Sequence, residues 1–292
     1  MKNVSAVLLV FTSALATLSG QQTYLNKEYI RAGARTIAIE NYVSLVYTST
    51  PDVTQSNPWN VVASADFDGN GVPDLVWQDP ASGTIQVWFM TGANGTQLLS
   101  AANIAATSWK VVAAADFNGD GNPDLLLQNP IVGAVQIWYL GGSNHITIQG
   151  AANITNSNTW RVGGAADFNG DGHPDVVWQD PVHGAVQIWY MTGAQGTTLL
   201  TPASVATSSS LQVVATTDFN ADGVPDLVLE NSATGLLQVW FMARSTAGTV
   251  LSSTTVTTSN LWRVKAAAIN GSPYFIWEGP TGWVQYWFES DM

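Results

Sequence analysis

The sequence predicts an all-β protein, a β-propeller of four-stranded blades, and three observations carry the prediction. A nine-residue sentence is written four times, at 66–74, 116–124, 167–175 and 218–226, with starts spaced 50, 51 and 51 residues apart. Each unit between these loops holds short β-type runs with turn residues every ten or so positions and no helical periodicity. A unit of this length is too long for a solenoid coil and suits one blade, whose two faces are covered by neighbouring blades.

In chain order, residues 1–20 come first. They carry a single Lys2, an apolar run from Val4 to Leu18 broken only by Ser and Thr, and small residues at Ser19 and Gly20. This reads as a secretory signal peptide, because the apolar core is too short for a spanning helix. The expectation is a secreted protein with no membrane insertion after signal removal.

Residues 21–57 stand outside the repeat as an N-terminal β segment, with β-type runs at Tyr29–Ile30, Thr36–Ile39 and Tyr42–Tyr47 and a turn at Gly33. The stretch from Leu25 to Glu40 resembles the tail of bacterial Tyr-Asp (Rhs-type) repeat shells. The propeller itself is assigned to residues 58–292.

Every unit opens on Trp59, Trp109, Trp160, Leu211 or Trp262 and an apolar run that reads as a first strand. The nine-residue loop follows, then a second strand such as Asp175–Asp180, then a Pro or Ser and Gly turn. A third strand shares one core in all five units: Ile85–Trp88, Val135–Trp138, Val186–Trp189, Leu237–Trp240 and Val284–Trp287. The Gln inside that core is expected to bond the backbone of the next blade, since an unpaired buried amide costs about 1–3 kcal/mol. Weaker fourth strands are expected at Thr96–Leu99, Ile146–Ile148, Thr197–Leu200 and Thr249–Ser252. The fifth unit ends at Phe288 without one. The N-terminal segment, from Thr36–Ile39 or Val43–Tyr47, is expected to supply it and latch a five-bladed ring; a six-bladed ring or an incomplete one is the alternative.

The chemistry lies in the loops. Oxygen side chains at positions 1, 3, 5 and 9 and a carbonyl at 7 suit a hard cation such as Ca²⁺, which takes six to eight oxygens at about 2.3–2.6 Å. The predicted ligands are Asp66, Asp68, Asn70, the Val72 carbonyl and Asp74; Asp116, Asn118, Asp120, the Asn122 carbonyl and Asp124; Asp167, Asn169, Asp171, the His173 carbonyl and Asp175; and Asp218, Asn220, Asp222, the Val224 carbonyl and Asp226. These are not EF-hands, because a strand begins where the Glu of position 12 would stand. The alternative is that Asp and Asn only bond their own turn backbone. Three acids in each of four loops would repel one another without a cation, and about four Ca²⁺ ions are expected. The fifth unit lacks the Asp residues and should bind none.

Composition narrows the partners. With 21 acids against 9 bases the formal charge is −12, which argues against nucleic acid or an anionic membrane. Twelve of those acids sit in the four loops. There is no Cys, so disulfide and thiolate chemistry are excluded. The three His are scattered, and no HExxH motif or Gly-x-Ser-x-Gly elbow is present. Asp79, Asp180, Glu230 and Glu278 recur at the end of the second strand, and one acid repeated around a ring is structural more often than catalytic. The expectation is a non-enzymatic binding or adhesion module for carbohydrate, or a scaffold for protein partners. Trp77, Trp178, Trp277, Tyr139 and Tyr190 are candidate sugar-stacking platforms, with packing between blades as the competing role.

The loop-plus-strand sentence resembles the FG-GAP/VCBS repeat of integrin α-subunit propellers, many secreted bacterial proteins and some propeller lectins. The resemblance covers roughly residues 59–288. It implies a Ca²⁺-stabilised propeller whose metal loops join the first and second strands of each blade. It departs at Ala221, where a loop Gly is replaced, and in having five units where such families usually have seven blades.

Overall fold

The computed structural model describes residues 28–32, 35–40, 47–49, 54–55, 59–92, 95–155, 159–208, 210–246, 248–258, 262–270, 272–279 and 283–289. The signal-peptide segment, the Gly33 turn and residues 41–46 lie outside them.

Five antiparallel blades form the ring. Blade 1 is β5 (Asn60–Ala65), β6 (Asp74–Gln78), β7 (Thr84–Thr91) and β8 (Gln97–Ala106), following the N-terminal strands β1 (Glu28–Ala32), β2 (Arg35–Glu40), β3 (Tyr47–Ser49) and β4 (Thr54–Gln55). Blade 2 is β9 (Lys110–Ala115), β10 (Asp124–Gln128), β11 (Val135–Gly141) and β12 (Thr147–Thr155). Blade 3 is β13 (Arg161–Ala166), β14 (Asp175–Gln179), β15 (Ala185–Thr192) and β16 (Thr198–Thr207). Blade 4 is β17 (Gln212–Thr217), β18 (Asp226–Glu230), β19 (Leu236–Met242) and β20 (Val250–Thr258). Blade 5 is β21 (Arg263–Asn270), β22 (Ser272–Glu278) and β23 (Trp283–Glu289), and it borrows β3 and β4 as its outer edge.

Closure settles the blade number. First strands contact one another in the cyclic order β5, β9, β13, β17, β21 and back to β5, so the ring has five blades. The N-terminal segment supplies the latch as expected, and β23 pairs with Tyr47–Ser49 and Thr54–Gln55, so it meets the Val43–Tyr47 candidate at Tyr47 and runs past it. Thr36–Ile39 instead folds back on β1 in a two-stranded hairpin, so it neither latches the ring nor builds a sixth blade. The fourth strands run longer than expected, because past their apolar starts they carry on as small and polar residues that pair with the third strand.

Each first strand skips one residue against the second, a β-bulge at Val62, Val112, Gly163, Val214 and Lys265. A bulge sharpens local twist, and these five residues ring the narrow central channel, lined otherwise by Ala, Gly, Ser and Thr. The core lies between blades, in five apolar clusters, one per seam. Trp77, Trp178 and Trp277 are fully buried there, each tilted against the Trp of its own third strand with ring centroids 4.8 Å apart. Leu127 and Leu229 fill the same position in blades 2 and 4.

Candidate functional site

All four predicted loops lie on one rim of the ring, between the first and second strands of blades 1–4. Their geometry begins with the position-1 carboxylate, around which the chain wraps. Asp66 Oδ1 accepts the N–H groups of Gly69 (2.9 Å) and Asn70 (3.1 Å), and its Oδ2 accepts that of Gly71 (2.8 Å). Asp116 and Asp167 repeat all three contacts, and Asp218 two of them. The turn needs a left-handed residue, supplied by Gly69, Gly119 and Gly170, and by Ala221 at φ 57° in loop 4. That conformation costs a non-glycine residue about 1–2 kcal/mol.

The position-9 carboxyl does different work. Asp74, Asp124, Asp175 and Asp226 are completely buried. In blade 1, Asp74 Oδ2 accepts the Phe67 N–H (2.8 Å) and Oδ1 accepts the Met90 N–H (2.7 Å), tying the loop to the end of the third strand. Asp124, Asp175 and Asp226 make the equivalent pairs with Phe117 and Leu140, Phe168 and Met191, and Phe219 and Met242. Burial, with repulsion from the other loop carboxylates, pushes Asp74, Asp124 and Asp175 up to about 7 and Asp226 up to about 6, against the pull of the two backbone donors.

These residues fit a hard cation. Among the described residues, Asp66, Asp68 and Asp74 bring carboxylate oxygens within 4.8 Å of one another. In loops 2–4 position 3 is Asn, and Asn118, Asn169 and Asn220 each hand an N–H to the position-5 carboxylate at 2.9–3.1 Å. A carboxylate offers about four lone-pair sites, so the backbone bonds leave acceptor capacity for an ion. Buried acids that favour the proton when metal-free are groups whose charge a cation would stabilise. Loop 4 carries its own cation: Arg244, where blades 1–3 have Gly92, Gly142 and Gly193, donates to the Gly223 carbonyl and lies against Gly170 of loop 3. In blade 5, Tyr274 takes the place of the buried Asp and packs on Tyr286 with centroids 5.3 Å apart.

The aromatic candidates are corrected. Trp77, Trp178, Trp277 and Tyr190 have no exposed surface, so no sugar can stack on them; they fill the seams because the blades need bulk there. Tyr139, at 7% exposure, keeps an edge open on a groove between blades 2 and 3.

The third-strand Gln is corrected as well. Trp88 Nε1 donates to Gln86 Oε1 at 3.1 Å, and Trp138, Trp240 and Trp287 repeat this within their own strands. Residues two apart share one face of a strand, so the amide finds its partner inside the blade. The bond between blades comes from the last residue of the second strand. Gln78 donates to the Trp109 carbonyl (2.8 Å) and accepts the Val111 N–H (3.2 Å). Gln128 and Gln179 do the same to blades 3 and 4.

Blades 4 and 5 use Glu at that position. Glu230 accepts the Val264 N–H, Arg263 stands 3.6 Å from it, and Arg263 donates to the Trp262 carbonyl that a Gln amide would otherwise satisfy. Glu278 accepts the Val61 N–H and pairs with Lys265 at 3.5 Å. Asp79 and Asp180, one residue further on, instead cap the next turn through the Ala81 and Val182 N–H groups. The four acids therefore fall into two structural sets. The repeated Gln/Glu before each turn was the sequence signal for the staple; the Gly150 that opens the Tyr139 groove had no repeat to announce it.

No helix among the described residues is long and apolar enough to cross a membrane. No curated protein is similar enough in sequence to match. Solved structures are similar to this chain only at low identity and with TM-scores below 0.5. The aldose sugar dehydrogenase of Streptomyces coelicolor with bound PQQ is 8% identical, with a TM-score of 0.49 over 83% of this chain and 98% of its own. A luciferin-regenerating enzyme is 11% identical, with a TM-score of 0.48 over 78% of this chain and 77% of its own. The Photorhabdus luminescens Tc holotoxin pore is 12% identical, with a TM-score of 0.42 over 83% of this chain and only 14% of its own. At these scores they carry no argument about function. The FG-GAP-like repeat model matches residues 66–127, 116–178 and 167–229, each match running from one Asp-rich loop through the next. Those spans together cover residues 66–229 of 292, and the chain belongs to the FG-GAP-like repeat family.

Proposed function

We propose that the chain is an exported, calcium-stapled β-propeller that works as a non-catalytic binding module, with carbohydrate as its first ligand class. The observation that carries the calcium reading is the three-carboxylate cluster of Asp66, Asp68 and Asp74, built on a loop sentence repeated in three further blades. In each loop positions 1, 3, 5 and 9 and the carbonyl of position 7 would hold the ion. The ion would offset carboxylate repulsion and tie the loop to the buried Asp that anchors the third strand. The signal-like pattern of residues 1–20 fits this reading, since weak Ca²⁺ sites of extracellular modules fill at about 10⁻⁴–10⁻³ M.

Binding is favoured over catalysis because the free-acid candidates are occupied: Glu230 and Glu278 staple blades, and Asp79 and Asp180 cap turns. A second reading, a scaffold for a protein partner, draws on the exposed leucines of the outer strands, Leu98, Leu99, Leu199, Leu200 and Leu251. Calcium titration by calorimetry tests the proposal. Saturable binding of about four ions, reduced by one on Asp120→Ala, is expected; an isotherm without binding would leave the loops as hydrogen-bonded turns. A glycan array in Ca²⁺ then separates the ligand classes: binding to defined glycans supports carbohydrate, and silence there with a stoichiometric protein complex supports the scaffold.

A further inference from the structure

The groove between blades 2 and 3 differs from the equivalent place in the next blade first at one cross-strand partner. Tyr139 on β11 stands opposite Gly150 on β12, whereas Tyr190 on β15 stands opposite Thr201 on β16. Tyr190 is fully covered; Tyr139 keeps 7% of its surface. The missing side chain contributes to a cavity of about 450 Å³ on the loop rim, within the roughly 300–1,000 Å³ range of small-molecule sites.

The ring that floors it is held still. The Tyr139 hydroxyl donates to the Gln195 carbonyl of blade 3 at 2.7 Å, so the phenol cannot swing out to fill the space. Gly150 and Ala151 line it with little side chain. The polar groups on the groove are Asn118 and Asp120 from loop 2, Gln149 from β12 and Gln195 from blade 3. Gln149 is itself a departure from the repeat, since Leu99, Leu200 and Leu251 stand at that place in blades 1, 3 and 4. The cavity lining includes no Lys or Arg, so nothing there recognises an anion.

We infer that this groove is a binding site for a neutral, polyhydroxylated ring, a mono- or disaccharide unit. The three amides donate to and accept from hydroxyls and the carboxylate accepts from them, and the open part of the Tyr139 ring, with a glycine beside it, offers apolar contact to a pyranose. The inference rests on the binding-module reading and gives it a place. Asn118 and Asp120 also belong to the proposed loop-2 ion site, so groove and ion share a wall.

The test is saturation-transfer NMR on the full chain in Ca²⁺ with glucose, galactose, mannose, fucose and N-acetylglucosamine as separate probes, with bound metal counted on the same samples. Transfer to at least one sugar is expected. It should be lost in Gly150→Thr, which copies the cover that blade 3 carries; a Cβ at Gly150 meets only Tyr139, at 3.8 Å, so the fold tolerates it. Gln149→Leu, which copies the other blades, should weaken it at least severalfold. No transfer to any probe, or transfer unchanged in both variants, would overturn the site. Metal with no transfer sinks the groove and leaves the calcium reading; transfer with no metal does the reverse.

Discussion

Glu278, at the end of the second strand of blade 5, accepts the backbone N–H of Val61 in blade 1 at 3.2 Å, across 217 residues of sequence. It is the ring-closing member of a set in which Gln78, Gln128, Gln179 and Glu230 staple the other four seams. Glu278→Ala would orphan the Val61 N–H and leave Lys265 without its partner. A loss of about 1–3 kcal/mol is expected in denaturant unfolding. Gln86→Ala, whose amide bonds only within its blade, should cost less; equal losses would contradict the staple.

Replacing the buried Asp175 by Ala removes the acceptor for both Phe168 and Met191. Two unsatisfied N–H groups should cost about 2–6 kcal/mol, even in chelator. Asn keeps one acceptor and should fall between. Indifference to Asp175→Ala in chelator would show that the carboxyl serves the metal alone.

In chelator, stability should depend on pH through these four acids. Their metal-free folded pKa values, about 6–7, lie above that of an unfolded Asp, so the folded state holds their protons more tightly. Their contribution is fully present below about pH 4 and is lost as pH rises towards 7. A bound cation favours the carboxylate, and with Ca²⁺ the trend over that window should reverse. Melting curves at pH 4.5–7.5 with and without Ca²⁺ check it; parallel trends would contradict it.

Arg244 places a fixed positive charge against loop 4. Arg244→Gln keeps reach and removes charge, and should tighten calcium binding at the proposed loop-4 site by up to about fivefold, since an exposed charge pair is worth about 0.2–1 kcal/mol. An unchanged titration isotherm would remove Arg244 from the account.

Much of this was legible because the chain repeats itself. Four Asp-rich loops at a constant period and one third-strand core written five times favoured five blades, left six open until ring closure decided it, and placed the loops between first and second strands. The latch was harder, because a three-residue strand such as Tyr47–Ser49 has no periodicity to read, while Thr36–Ile39 has the stronger β pattern and spends it on a local hairpin. Burial was the other blind spot. Trp77 and Trp178 look alike as core or as platform until neighbouring blades enclose them. Gln78 and Gln86 are both repeated amides, and only the direction of each side chain tells the seam from the strand. The Tyr139 groove depends on Gly150, a departure from the repeat where the repeat had been the guide.

The central claim is that calcium holds the loops of this ring, and thermal unfolding of the full chain in Ca²⁺ and in chelator, with bound metal counted alongside, tests it most directly. A large rise in Tm with Ca²⁺ and about four ions per chain is the predicted result, because a ligand that binds only the folded state stabilises it by mass action. The same Tm in both buffers with no bound metal would contradict it.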